Sequence, residues 1–187
     1  AYVKIAKDWF TTADLSNIRQ RKIGQGKIGG KAAGMLLAYR ILMEEGDDEI
    51  RACVSVPDSY FIGADVTYVF MAWNSLMSWG DQKYKLEEQI RADYPHLQQE
   101  FLRGEFPGDI LDKFRDLLSQ VGNKPLIVRS SSLLEDNFGT SFAGKYESHF
   151  CPNQGTPEEN LQDLTQAIIH IYASILNPDA LLYRRAK

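Results

Sequence analysis

One arginine followed by three serines is the part of this 187-residue sequence whose residue types most clearly suggest chemistry. Arg129 comes directly after the apolar run 125–128, which predicts a short strand. A guanidinium carries five N–H donors in a planar fork, so an arginine held at a strand end suits paired contacts to phosphate oxygens. Further short polar groups come from the serines that follow, Ser130, Ser131 and Ser132. We predict that Arg129 contacts phosphate.

A stretch of small residues follows the serines and predicts a loop that can lie over a chain of phosphates. Its residues are Gly139, Thr140, Ser141, Phe142, Ala143 and Gly144. Glycine permits backbone conformations in which consecutive amide groups point toward an anion. Two carboxylates precede this loop and leave a second interpretation open, in which Arg129 pairs with Glu135 or Asp136 and only holds a hairpin together.

A second glycine cluster, residues 24–30, ends at Lys31, where a predicted helix begins. Amide groups at a helix start bind anions, and the ammonium group of Lys31 adds a full charge, so we predict a phosphate contact here as well. A glycine-rich helix start with a solvated lysine is the alternative. Residues 24–29 also fit the spacing of a dinucleotide-binding fingerprint. Such a fingerprint requires a buried strand directly before it, and three cations in residues 19–23 disfavour a buried strand there. A Walker loop does not fit, because Gln25 and Ala32 stand where glycine and serine or threonine are required.

Composition is that of an ordinary soluble domain, with 44% hydrophobic and 25% charged residues. The net charge of −4 gives no general attraction to nucleic acid, so any anion site must be local. No apolar run approaches the roughly 20 residues of a membrane span. Two distant cysteines, Cys53 and Cys151, argue against a disulfide framework or a zinc site and favour a cytoplasmic location. We expect residues 1–187 to be a single-domain fragment of a larger protein.

Helices outnumber strands in the predicted pattern, so the expected fold class is α+β with a small mixed or antiparallel sheet. Helices are predicted at 11–21, 31–46, 64–78, 83–103, 109–121 and 156–176. Strands are predicted at 54–56, 60–62, 125–130 and 145–151. The final helix carries the clearest signal, since Thr156 and Glu159 form a capping box, Pro157 suits the first turn, and Asn177-Pro178 ends the apolar stripe.

The two clusters together resemble motifs of the phosphoenolpyruvate synthase and pyruvate phosphate dikinase family. "GGKAAG" at 29–34 resembles the early glycine-lysine motif of that family, and "VRSSSLLEDNFGTSFAGKYES" at 128–148 resembles its arginine-serine-serine segment with the following loop. The spacing between them agrees. Further matches lie at Val56-Pro57, Phe61-Ile62, Ala173-Ser174 and residues 180–184, so the resemblance spans nearly the whole chain.

This resemblance implies the first subdomain of an ATP-grasp nucleotide-binding domain, whose ATP lies between two subdomains. In such enzymes ATP phosphorylates a histidine on a separate swivelling domain, which carries the phosphoryl group to pyruvate, while related enzymes use other acceptors. The resemblance also implies that Lys31 and Arg129 contact the ATP phosphates and that residues 139–144 cover these phosphates. The Mg²⁺ ligands of the family lie in the second subdomain, so no catalytic or metal-binding residue is expected within this fragment. The expected partners are ATP, that second subdomain and the phosphohistidine domain.

The sequence departs from the family pattern at several positions. Ser132 and Leu134 replace the usual alanine and threonine, Gly139 stands where aspartate is common, and Lys145 stands where glutamine is common. The role of Lys145 and of the acidic pair stays open. No histidine matches the carrier motif, and all three are expected to be structural or solvated: His96, His149 and His170.

Alternatively, the chain is a degenerate, non-catalytic module that senses a nucleotide or docks a partner domain. The phosphotransferase interpretation leads us to expect that the isolated chain lacks turnover and binds ATP weakly, because half of the cleft is absent.

Overall fold

The computed structural model describes residues 2–131 and 147–186, which fall into two compact units. The first unit comprises residues 2–65 and Ser131, and the second comprises residues 66–130 and 147–186. Both units are rich in helices, and the described part of each contains one pair of short strands. The predicted α+β class is therefore confirmed. Within the described residues, no helix combines the length and the apolar character that crossing a membrane requires.

The described part of the first unit contains four helices and a short parallel strand pair. The helices are α1 (Tyr2–Trp9), α2 (Thr12–Gln20), α3 (Gly30–Glu45) and α4 (Asp48–Cys53), and the strands are β1 (Lys22–Ile23) and β2 (Phe61–Ile62). β1 pairs in parallel with β2, and α3 packs against both α1 and α4. Parallel strands require a long crossover connection, which α3 and α4 supply. The buried side chains of Ile23, Leu37 and Phe61 form the apolar interior of this unit.

The second unit is organised around one long helix. Its elements are α5 (Ala64–Trp73, whose first two residues belong to the first unit), a 3₁₀ helix (Met77–Tyr84), α6 (Glu87–Leu102), α7 (Gly108–Val121), β3 (Leu126–Arg129), β4 (Ser148–Cys151), α8 (Pro157–Ser174) and α9 (Pro178–Arg185). β3 and β4 are antiparallel, with Arg129 opposite Ser148. α8 packs against both strands and also against α6 and α7.

Aromatic side chains fill the core of the second unit. The ring of Phe106 lies 4.9 Å from that of Phe70 and 5.2 Å from that of Phe114, measured between centroids. Tyr172 of α8 contacts both Phe70 and Phe106, at 5.8 and 6.1 Å. Phe70, Phe101 and Phe114 have no exposed surface. Four helices are thus joined through a single aromatic cluster, whose burial is the main source of stability.

Most of the helices follow the sequence predictions. The helices predicted at 11–21, 31–46, 83–103 and 109–121 are confirmed as α2, α3, α6 and α7, and the final capping box is confirmed at α8. Glu159 closes this box, because its amide donates to the Thr156 hydroxyl and its carboxylate accepts from the Thr156 amide. The strand predicted at 125–130 is confirmed as β3, and the strand predicted at 145–151 is confirmed over Ser148–Cys151 as β4.

Two of the predicted elements were wrong, and β1 forms at Lys22–Ile23, where the cations of residues 19–23 disfavoured a strand. Residues 54–56 form no strand but an irregular segment leading to Pro57, which lacks the N–H that a ladder needs. The helix predicted at 64–78 ends at Trp73, because Ser75 adopts a φ of 60°, which an α-helix cannot contain. The Asn74 side chain ties this end down by donating to the carbonyls of Phe70 and Glu105. Beyond the break, the chain continues as the 3₁₀ helix Met77–Tyr84.

Removing the Phe70 ring is expected to destabilise the second unit strongly. Phe70→Ala deletes a fully buried ring and leaves a cavity among three aromatic neighbours, so the free energy of unfolding should fall by about 3–5 kcal/mol. Tyr68→Ala on the same helix is the control, since Tyr68 is 64% exposed and should change stability by less than about 0.5 kcal/mol. Urea unfolding followed by circular dichroism measures both, and equal losses would contradict this description of the core.

Candidate functional site

The first half of the glycine cluster is held by a carboxylate from α5. Asp65 accepts a hydrogen bond from the amide of Gln25 and another from the amide of Gly26, each at 2.7 Å. The Lys27 carbonyl accepts a third bond from the amide of Ala64 at 3.2 Å. Two successive amides pointing at one anion form the kind of nest that binds phosphate, but here a carboxylate of the protein occupies it. These two amides therefore have a structural role.

Glycine is required at position 26 by this close approach. A Cβ atom there would lie 2.6 Å from the Asp65 amide nitrogen and 2.9 Å from that of Ala64, closer than real Cβ atoms come. The Lys22 ammonium stabilises the same turn by donating to the carbonyls of Gln25 and Gly26. The loop is thus fixed over the first turn of α5, and it leads the chain into α3.

The second half of the cluster forms the start of α3. Lys31 is the second residue of α3, as predicted, and Gly29 occupies the capping position without a side chain to use. Ser131 supplies the missing cap, because its hydroxyl oxygen accepts a hydrogen bond from the Ala32 amide at 3.0 Å. A helix start, an ammonium group and a hydroxyl group therefore belong to one small region of the first unit, which suits an anion.

Gly29 allows the serine segment to come this close. A Cβ atom at position 29 would overlap the backbone carbonyl of Ser131, so any side chain there would push the two segments apart. Ser131 is 99 residues from Ala32 in the sequence. The "GGK" motif and the "RSSS" motif thus meet through Gly29, Ala32 and Ser131, all within the first unit.

Arg129 occupies the strand end that the sequence predicts. It is the last residue of β3 and is exposed, while the next residue, Ser130, is buried with 4% of its surface accessible. The predicted covering loop, Gly139, Thr140, Ser141, Phe142, Ala143 and Gly144, lies outside the described residues, as do Glu135, Asp136 and Lys145. The alternative ion pair of Arg129 with this acidic pair therefore stays a prediction.

The three histidines lie in different surroundings. His96 on α6 is exposed, with its Nε2 atom 3.3 Å from a Glu100 carboxylate oxygen. His149 of β4 and His170 of α8 stack with their ring centroids 4.6 Å apart. Burial lowers the pKa of His170, and the neighbouring His149 lowers it further. Beside them, burial together with the charge of Glu147 raises the pKa of Tyr94 to about 12.

Sequence reasoning missed two residues that shape the site. Asp65 stands in the first turn of a helix, where acidic residues are common, and its partners lie 39 and 40 residues away. Ser131 was expected to act as a polar group near phosphate, but its oxygen caps α3. No local signal distinguishes these roles, because both depend on chain segments distant in sequence.

A family model described as "Pyruvate phosphate dikinase, AMP/ATP-binding domain" matches residues 25–187. The matched region contains both Lys31 and Arg129, and it begins within the glycine cluster, so α1 and α2 precede it. A search of curated proteins and a search of solved structures each found no match.

The contact between the two motifs can be tested with a pair of glycine substitutions in the same region. Gly29→Ala forces a methyl group against the Ser131 backbone, so the free energy of unfolding should fall by about 1–3 kcal/mol. Gly34→Ala on α3 meets nothing within 4 Å and should gain about 0.5–1 kcal/mol, because alanine is the better helix former. Urea denaturation of both variants measures the difference. Changes of the same sign would show that Ser131 does not lie against Gly29.

The structural role of Asp65 is tested by removing its carboxylate. Asp65→Ala leaves the amides of Gln25 and Gly26 without their acceptor, so we expect a loss of about 2–3 kcal/mol and faster hydrogen exchange at both amides. Asp112→Ala makes the same charge change at an exposed position and serves as the control. Amide exchange measured by NMR decides the question, and unchanged protection at residues 25 and 26 would refute the assignment.

Proposed function

This chain belongs to the family of pyruvate phosphate dikinase AMP/ATP-binding domains, and we propose that it is the first ATP-grasp subdomain of an ATP-dependent phosphotransferase. In the proposed reaction sequence a phosphoryl group passes from ATP to a histidine on another domain, and from there to pyruvate. The second subdomain and the phosphohistidine domain are its proposed partners within the parent protein. The chain itself supplies contacts to the phosphates, and the proposed setting is cytoplasmic.

Lys31 and Arg129 are the proposed phosphate ligands. Phosphoryl transfer requires the protein mainly to position the phosphates and to stabilise the negative charge on their oxygens. A lysine in the first turn of α3 adds its charge to the positive end of the helix dipole. An arginine at the end of β3 offers a planar fork whose root is fixed by strand pairing with Ser148. Residues 139–144 are proposed to cover the same phosphates.

The hydrogen bond from Ala32 to Ser131 is the observation that carries this proposal. Ser131 follows Arg129 by two residues and caps the helix on which Lys31 is the second residue. The bond joins the two segments that the sequence singles out independently, and it supports a common ligand for both. An isolated glycine-rich helix start with a solvated lysine would not require the serine segment at all.

Mg²⁺ is proposed to be held by the second subdomain, where it would neutralise charge on the phosphates. The groups at the start of α3 are amides, a hydroxyl and an ammonium, whereas Mg²⁺ binds carboxylate and phosphate oxygens. The nearby carboxylate, Asp65, is engaged by the amides of Gln25 and Gly26. The donor set of this region therefore fits the phosphates and not the metal.

Titration of Mg-ATP into the 187-residue chain tests the proposal. Arg129→Ala and Lys31→Ala should each weaken binding by roughly 10- to 100-fold, because each removes a charge-assisted hydrogen bond. Arg129→Lys should recover only part of the affinity, since an ammonium group cannot make paired contacts. Arg115→Ala is the matched control, because Arg115 is an exposed arginine paired with Asp112 on α7.

Several outcomes would decide against parts of this proposal. Equal binding heats from the wild-type chain and Arg129→Ala would remove Arg129 from the site. Equal affinities for AMP and ATP would favour the nucleotide-sensing module over the phosphotransferase. ATP hydrolysis by the isolated chain at an ordinary enzymatic rate would show that the chain does not need a second subdomain.

A further inference from the structure

A cluster of two imidazoles and one carboxylate lies in the second unit and includes none of the residues proposed to bind ATP. Glu147, His149 and His170 each offer one ligand atom, and these three atoms lie within 4.8 Å of one another. Nε2 of His149 is 2.9 Å from a carboxylate oxygen of Glu147. The two imidazole rings stack with 25° between their planes.

Strand and helix geometry explain why these side chains converge. Alternate residues of a strand point to the same side, so Glu147, His149 and Cys151 share one face of the chain through β4. That face is turned toward α8, because Cys151 is buried and its Sγ atom lies 3.8 Å from the Asp163 carbonyl. His170 is seven residues after Asp163, which is two helical turns along the same side of α8. His170 therefore reaches His149.

We propose that Glu147, His149 and His170 bind a divalent transition-metal ion, with Zn²⁺ as the best fit. Two neutral imidazoles and a carboxylate form a common donor set for such ions, and they leave further positions open for water or another ligand. Nitrogen donors select against Mg²⁺, which requires oxygen ligands in octahedral geometry. The donor atoms of this cluster therefore differ from those that bind the Mg²⁺ accompanying ATP.

The spacing requires only a small adjustment. Ligand atoms about 2.1 Å from a tetrahedral ion lie about 3.4 Å from one another, whereas those of this cluster lie within 4.8 Å. Side-chain rotation can supply this adjustment, because 43% of the Glu147 side chain and 31% of the His149 side chain are exposed. The partly buried histidines come from a strand and a helix that pack against each other, so their positions are well defined.

Bound metal would link β4 to α8 at their partly exposed end. At the other end of the same contact, Cys151 already packs against α8.

Titration of ZnCl₂ without nucleotide, in the presence of excess Mg²⁺, tests the site. The 187-residue chain should carry no histidine tag, and Cys53→Ser should be present throughout to remove the exposed thiol. We expect binding of a single ion per chain and a rise in melting temperature of about 5 °C at saturating Zn²⁺. His149→Ala, His170→Ala and Glu147→Gln should each weaken binding at least about 10-fold.

His96→Ala is the matched control and should bind Zn²⁺ as the wild-type chain does. His96 also has a carboxylate within ion-pair distance, that of Glu100, but the cluster of three metal-ligating groups does not include it. Failure of the wild-type chain to bind Zn²⁺ would overturn the proposal, as would binding that survives both histidine substitutions or is lost in His96→Ala. Circular dichroism without metal checks folding, and Glu147→Gln at its exposed position repeats the test if a histidine variant does not fold.

Because this titration contains no nucleotide, its outcome is independent of the proposed ATP site. A chain that binds Mg-ATP but not Zn²⁺ would refute the metal site alone. A chain that binds Zn²⁺ but not Mg-ATP would refute the nucleotide proposal alone.

Discussion

The hydrogen bond between the Ala32 amide and the Ser131 hydroxyl is the interaction on which the candidate site depends. The first amides of a helix have no partner within the helix, and Gly29 has no side chain to satisfy them. Ser131 meets this need from a distant part of the chain, and the absence of a Cβ at position 29 lets it come close enough. The hydrogen bond that caps α3 thereby connects the motif that contains Lys31 with the motif that contains Arg129.

In the glycine cluster, some backbone amides bind another part of the protein, and others are proposed to bind a ligand. Asp65 occupies the amides of Gln25 and Gly26, and this carboxylate stands where an external anion would otherwise bind. The following turn contains Lys31 and the start of α3, where we propose a phosphate contact. The same cluster thus serves two purposes: its first half anchors the loop to α5, and its second half supplies the proposed phosphate contact.

The second unit combines a stable core with a polar cluster on the same helix. α8 contributes Tyr172 to the aromatic core and His170 to the proposed metal site, because its faces contact different elements. Residues at the buried end of the β4–α8 contact stabilise the fold through packing. Residues at its partly exposed end keep nitrogen and oxygen atoms accessible, which is the condition for binding an ion from solution.

The sequence by itself determined the features whose causes are local. The capping box of α8, the start of α3 and the strand end at Arg129 follow from residues within a few positions of each other, and the paired motifs were sufficient to indicate the family. Only the tertiary structure decided that Asp65 holds the loop, that Ser131 caps α3 and that His149 meets His170. These contacts join residues 21 to 99 positions apart, and hydrophobic periodicity or turn chemistry carries no information about such pairs.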